Sequence, residues 1–114
     1  MTTKVFIPLF GEEVAPRFDL ATEVLLAESA ADGQMVAERI LMLPNPSAER
    51  LCHMIISEAV DVVICGGIEQ EFYDYLTWKQ IRVIDNIIGS GRAACQRLGK
   101  GRLVAGDILD PQSC

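Results

Sequence analysis

Asp61-Val62-Val63-Ile64-Cys65-Gly66-Gly67 decides how this chain folds. A short apolar run closed by two glycines suits a central parallel strand covered on both faces. A helical pattern precedes it. Over about 47–59, Leu51, Cys52, Ile55, Ile56 and Ala59 recur on one side, with His53 and Ser57 on the other. Leu43-Pro44-Asn45-Pro46 ends the segment before that helix, and Asn45 or Ser47 supplies its cap. A second helical pattern follows over 69–78, with Phe72, Tyr75 and Leu76 on a common face. Ile81-Arg82-Val83-Ile84 is another short strand and 86–89 a loop. Ser90 or Gly91 opens a last helix to about Leu98, broken by Gly99 and Gly101.

Upstream, Lys4 to Phe10 reads as an apolar strand, followed by a turn at Gly11-Glu12-Glu13 and a loop through Asp19. Thr22 to Ser29 and Gln34 to Leu43 flank Ala30-Ala31-Asp32-Gly33, whose Asp-Gly pair favours a hairpin turn. In the second of these runs Val36, Ile40 and Met42 alternate with Arg39 and Leu41, an imperfect pattern with one buried face. The order is therefore β–β–β–α–β–α–β–α. Right-handed crossovers set the 61–65 strand parallel to the first strand, and the hairpin covers that strand's other side. The expected fold is α/β in three layers. It has a five-stranded mixed sheet of order 3-2-1-4-5, strand 2 antiparallel and helices on both faces, which is a ribonuclease H-like topology. Residues 1–114 form one domain, with an irregular tail from about 102.

Ten Lys and Arg stand against sixteen Asp and Glu, a net charge of −6. That argues against a general nucleic-acid binder, whose affinity rests on neutralising phosphates. Met1-Thr2-Thr3-Lys4 leads straight into the first strand with no signal peptide, and no apolar stretch approaches a membrane span. The expectation is a soluble cytoplasmic protein without a membrane partner. Cysteines at 52, 65, 95 and 114 show no Cys-x-x-Cys spacing, so they form neither a disulfide framework nor a recognisable zinc site.

In open α/β sheets ligands gather beyond the carboxyl ends of the parallel strands, where strand order reverses. Three segments are expected to meet there: the loop Val14-Ala15-Pro16-Arg17-Phe18-Asp19, the turn Cys65-Gly66-Gly67-Ile68, and Ile88-Gly89-Ser90-Gly91. Glycine pairs near helix N-termini let backbone amides approach an anion. Arg17, with Arg92 as a second candidate, would add charge, and Cys65 a soft sulfur. The bland reading makes Phe18 a core plug and Arg17–Asp19 a surface ion pair. Cys52 and Cys95, on apolar helix faces, read as core fillers and His53 as a plain surface residue. Cys114 is either an inert thiol or a ligand on a flexible arm. A ribonuclease H site would need carboxylates on the central strands. The first strand has none, and a lone histidine gives no Ser/His/Asp or Cys/His pair, so no enzyme activity is expected.

These residues resemble the dinitrogenase iron–molybdenum cofactor biosynthesis family across nearly the whole chain. The resemblance rests on KVFIPLF (4–10), VAPRFDLA (14–21), LPNP (43–46), VDVVICGGI (60–68), the spacing of Leu76, Ile81 and Val83, the glycine loop at 89–91, and GKGRL (99–103). It implies a ribonuclease H-like fold. It also implies a role in binding or carrying iron–sulfur or molybdenum–iron–sulfur clusters for metallocofactor assembly, with an assembly or recipient protein as partner. Carried onto this sequence, it points to Arg17, Phe18, Asp19, Cys65, Gly66 and Gly67, and the converging loop adds Gly89 and Ser90 to the expected site. The tail Asp110-Pro111-Gln112-Ser113-Cys114 loosely echoes relatives that end in a proline and a cysteine. The histidine- and glycine-containing loop of some relatives is absent before the 47–59 helix, which favours sulfur ligation by Cys65 and Cys114. So few cysteines imply a loosely held cluster, or ligands shared across a homodimer. The alternative is a metal-free regulatory or interaction domain that binds a partner protein or small anion.

Overall fold

The computed structural model describes residues 2–30, 34–99, 101 and 103–109. Strands β1 (Thr3–Phe10), β2 (Glu13–Val14), β3 (Glu23–Ser29), β4 (Met35–Met42), β5 (Val62–Ile64) and β6 (Arg82–Ile84) form one mixed sheet. Helices α1 (Ala48–Ser57), α2 (Gln70–Trp78) and α3 (Gly91–Gly99) and a 3-10 turn at Phe18–Leu20 complete the fold. The sheet runs β4-β3-β1-β5-β6, with β2 attached to the end of β1. β3 is antiparallel to both β1 and β4, whereas β5 is parallel to both β1 and β6.

The path β4-β3-β1-β5-β6 follows the sequence reading, and the extra strand β2 departs from it. The chain folds back on β1 for two residues, setting Leu9 opposite Val14 and Phe10 opposite Glu13. Gly11 takes a φ of +65°, which closes the two-residue turn between them. Two residues are too few to show a period, so nothing in the hydrophobic pattern announced β2.

Alternation along the central strands builds a core on each face. Val5, Ile7 and Leu9 of β1 join Leu25, Ala27, Val62, Ile64 and the inner side of α3. Phe6, Val24, Leu26 and Val63 face the other way, onto α1 and α2. Asp61 fixes the parallel pairing where β5 begins. Its carboxylate accepts the Lys4 backbone N–H at 2.8 Å, and its own N–H donates to the Lys4 carbonyl at 2.9 Å. The Lys4 ammonium meanwhile donates to the Glu58 carbonyl at the end of α1, where positive charge suits the helix dipole. On β4 the burial runs opposite to expectation. Ile40 and Met42 are exposed, because the core on the α3 side stops at β3 and leaves this outer strand uncovered. Leu41, on the opposite face, packs against the other core. No helix among the described residues is long and apolar enough to cross a membrane.

The two helices before the parallel strands end alike. After α1 the Ala59 N–H donates to the Ile56 carbonyl and the Val60 N–H to the Ile55 carbonyl, both at 3.1 Å. After α2 the Gln80 N–H donates to Thr77 at 2.9 Å and the Ile81 N–H to Leu76 at 3.0 Å. These are paired Schellman closures, with Val60 and Ile81 entering the same core as Ile55 and Leu76. Each needs a left-handed residue, yet Ala59 (φ 55°) and Gln80 (φ 65°) occupy the positions that glycine fills most easily. Ala59→Gly and Gln80→Gly are each expected to stabilise the fold by about 0.5–1 kcal/mol, the relief of strain exceeding glycine's entropy loss. Urea unfolding of the single variants, read as a higher midpoint at unchanged slope, checks this.

Candidate functional site

Local backbone bonding draws the three expected segments together. Beyond β2, the Ala15 N–H still donates to Pro8 of β1, at 2.8 Å. Pro16, with no N–H of its own, then turns the chain away from β1. Its carbonyl accepts the Gly67 N–H at 2.7 Å, and the Phe18 N–H donates to the Gly67 carbonyl at 2.8 Å, so Arg17 lies strand-like beside Gly67. The other edge of the loop is tied to the 88–91 segment. Val14 N–H donates to Gly89 at 2.8 Å, Gly91 N–H donates to Glu12 at 3.0 Å, and Glu13 bridges to Ser90.

This convergence uses the glycines differently from the sequence reading. A Cβ on Gly66 would stand 2.3 Å from the Ala15 carbonyl oxygen and 2.6 Å from that of Pro16. One on Gly89 (φ 122°) would stand 2.5 Å from the Leu109 oxygen, and one on Gly91 would meet Leu9 at 2.7 Å. The glycines admit neighbouring protein backbone and side chain, and the Gly67 and Gly91 amides are bonded inside the protein. Ser90 caps α3, its hydroxyl accepting the Ala93 N–H at 3.2 Å.

Phe18 is fully buried, 6.2 Å from the Phe72 ring, and anchors the loop to α2. Cys65 is fully buried too, in that same core. Loss of solvation, with Asp85 nearby, pushes its thiol from the ordinary 9.0 up to about 12. It therefore stays a neutral thiol and does not present a thiolate to the loops. Cys52 and Cys95 are buried, as expected of core fillers, and burial pushes each up to about 11. Cys114 lies outside the described residues. Among the described residues no group of three or more His, Cys, Asp or Glu could hold a metal ion.

Arg17 is what the loop does present. Its guanidinium grips Asp19 in a bidentate pair at 3.2 and 2.9 Å, the arginine side chain remaining 58% exposed. It lines a depression of about 420 Å³ with Phe10, Pro16, Leu20 and Glu23. A smaller hollow of about 170 Å³ holds Glu12, Ser90 and Arg92, and shares Leu9, Gly11 and Glu23 with the first. Arg92 is bonded to Glu38. Both guanidiniums are thus neutralised locally, and the carboxylates of Glu12 and Glu23 line the hollows beside them, so no strongly basic pocket that an anion would select is formed among the described residues. The Cys65 turn lines neither hollow. The sequence reading also passed over a cavity elsewhere on the fold. It is a groove of about 550 Å³ between α1 and α2, where His53 stands near Cys52, Ile56, Phe72 and Tyr75. Its signal was available in the half-apolar outer faces of both helices.

The sequence matches no family model, and no curated protein matches it either. Solved structures do match in shape. The crystal structure of PH0822 superposes with a TM-score of 0.79 at 16% identity, covering 90% of this chain and 94% of that one. MJ0327 of Methanocaldococcus jannaschii, provisionally named a dinitrogenase, gives 0.71 at 19% identity, covering 90% and 93%. The Thermotoga protein TM1290, provisionally named a NifB protein, gives 0.68 at 16% identity, covering 96% and 98%. At these identities the likeness shows a shared fold.

Two outcomes are expected from this geometry. Gly66→Ala destabilises the protein by about 3 kcal/mol, because its new Cβ meets backbone rather than a movable side chain; thermal melts compared with Gly67→Ala, whose Cβ would meet only the Pro16 oxygen at 3.4 Å, isolate that effect. Iodoacetamide at neutral pH labels Cys65 only after denaturant is added. A raised thiol pKa means the unfolded chain releases its proton first, so the stability it contributes is present below about pH 9 and lost as pH rises towards about 12. Comparing wild type with Cys65→Ala across that window measures the effect.

Proposed function

We propose that this chain is a small, non-enzymatic, cytoplasmic accessory protein of nitrogenase-type metallocofactor assembly. Its cargo is an iron–sulfur or molybdenum–iron–sulfur cluster, passed to or from an assembly or recipient protein. The observation that carries the reading is the Arg17 loop, held rigidly at the carboxyl end of β1 beside a depression of about 420 Å³. Supporting it are the motif resemblance through VAPRFDLA and VDVVICGGI, and the shape shared with proteins provisionally named as a dinitrogenase and a NifB protein. The proposal takes the fold as ribonuclease H-like without its hydrolytic carboxylates.

The residues present fit such a cargo only in part. Arg17 supplies an exposed charge, but Cys65 is a buried neutral thiol and the glycine amides at 67 and 91 are occupied. The cluster is therefore contacted from outside, at Arg17 and Asp19, with thiolate from Cys114 or from a partner subunit. Loose carriage follows, because a cation already paired with Asp19 gains little on exchanging one anion for another.

Anaerobic reconstitution with iron and sulfide, followed by visible absorption, tests this. Wild type and Cys65→Ala are expected to take up cluster alike, Arg17→Ala to bind it about fivefold more weakly, and Cys114→Ser to lose most of the absorption. Absence of any cluster spectrum, in protein that melts normally, would overturn the carrier reading.

A further inference from the structure

We propose that the groove between α1 and α2 is a docking site for a basic amphipathic segment of a partner protein. Its floor is apolar, formed by Cys52, Ile56, Phe72 and Tyr75, and its volume of about 550 Å³ exceeds that of the Arg17 depression. Glu49 stands on one wall and Glu71 on the other, and no Lys or Arg lines it. An apolar trough between carboxylates selects a segment with aliphatic anchors and flanking cations.

The adjoining surface of α2 extends the apolar area. Trp78 is 74% exposed, and the Lys79 ammonium lies 4.8 Å from its ring centre and 5.8 Å from that of Tyr75, which lines the groove. Lys79 thus already occupies the ring faces beside the groove, so the cations of an incoming segment pair with Glu49 and Glu71 while its aliphatic side chains pack on the remaining aromatic surface. Exposed aromatics beside a partly apolar trough are typical anchors of protein recognition. A second copy of this chain suits the groove poorly, because each copy carries a net charge of −6. The groove shares no lining residue with the Arg17 depression, so the inference stands apart from the cluster reading.

Trp78 is the only tryptophan, which makes its fluorescence a direct reporter. The probe is a tryptophan-free leucine–lysine peptide with leucines at i, i+3, i+4 and i+7. A control peptide carries glutamate in place of lysine. The lysine peptide is expected to bind wild type, more weakly as salt is raised. The double variant Glu49→Gln/Glu71→Gln should bind at least fivefold more weakly, Ile56→Asp not measurably, and Arg17→Ala as wild type does. Circular dichroism confirms that each variant is folded. Equal binding of the glutamate peptide, no binding of either, or unchanged affinity in both groove variants would overturn the proposal. So would self-association of the wild type that Ile56→Asp abolishes, since the groove would then belong to a second copy.

Discussion

Two hydrogen bonds hold the Val14–Asp19 loop to the end of β5: Gly67 N–H to the Pro16 carbonyl at 2.7 Å, and Phe18 N–H to the Gly67 carbonyl at 2.8 Å. They form only because Gly66 lets the Ala15 and Pro16 carbonyls approach to distances no side chain would allow. Much else depends on that contact. It drives Phe18 into the α1/α2 core against Phe72, turns Arg17 outward, and brings Asp19 within reach of the guanidinium. It also seals the top of β5, so that Cys65 beneath it is cut off from water. A loop and a turn that each look like ligand-binding elements are, in large part, each other's ligand.

The opposite end of the sheet is organised by different means. Asp61 and Lys4 exchange backbone and side-chain bonds where β1 and β5 begin, and Schellman closures deliver the chain from α1 and α2 into β5 and β6. These fixed exits give the two helices a common approach to the sheet and leave a groove between them. The molecule therefore has a rigid loop end that presents one paired arginine, and a helical face that presents apolar surface between carboxylates.

Much of the fold was legible because burial repeats along the chain. Val62-Val63-Ile64, the hairpin runs and the helical faces around Leu51, Ile55 and Leu76 all carry the periods that their cores require. What escaped was set by single backbone angles or by position in the sheet. β2 follows from one φ at Gly11, the helix exits from left-handed Ala59 and Gln80, and the exposure of Ile40 and Met42 from β4 being outermost. The site divides the same way. The meeting of the three segments follows from topology, and the structure places them together. The fate of each donor does not follow, because a glycine that admits a ligand and a glycine that admits a carbonyl look alike in sequence.

That ambiguity bears on how a cluster could be carried at all. An iron–sulfur anion arriving at the loop end meets a guanidinium that already has a carboxylate, in water, where such exchanges are worth little. It meets no thiolate among the described residues, since burial holds all three of their thiols protonated well above neutral pH. Tight retention would require opening the Phe18–Gly67 contact to free amides and the Cys65 thiol together, at the expense of a core on which α1 and α2 both rest. On the carrier reading, the closed loop sets a ceiling on affinity. Such a protein holds its cargo only while a partner supplies the remaining ligands, which makes hand-over, rather than storage, the step the architecture favours.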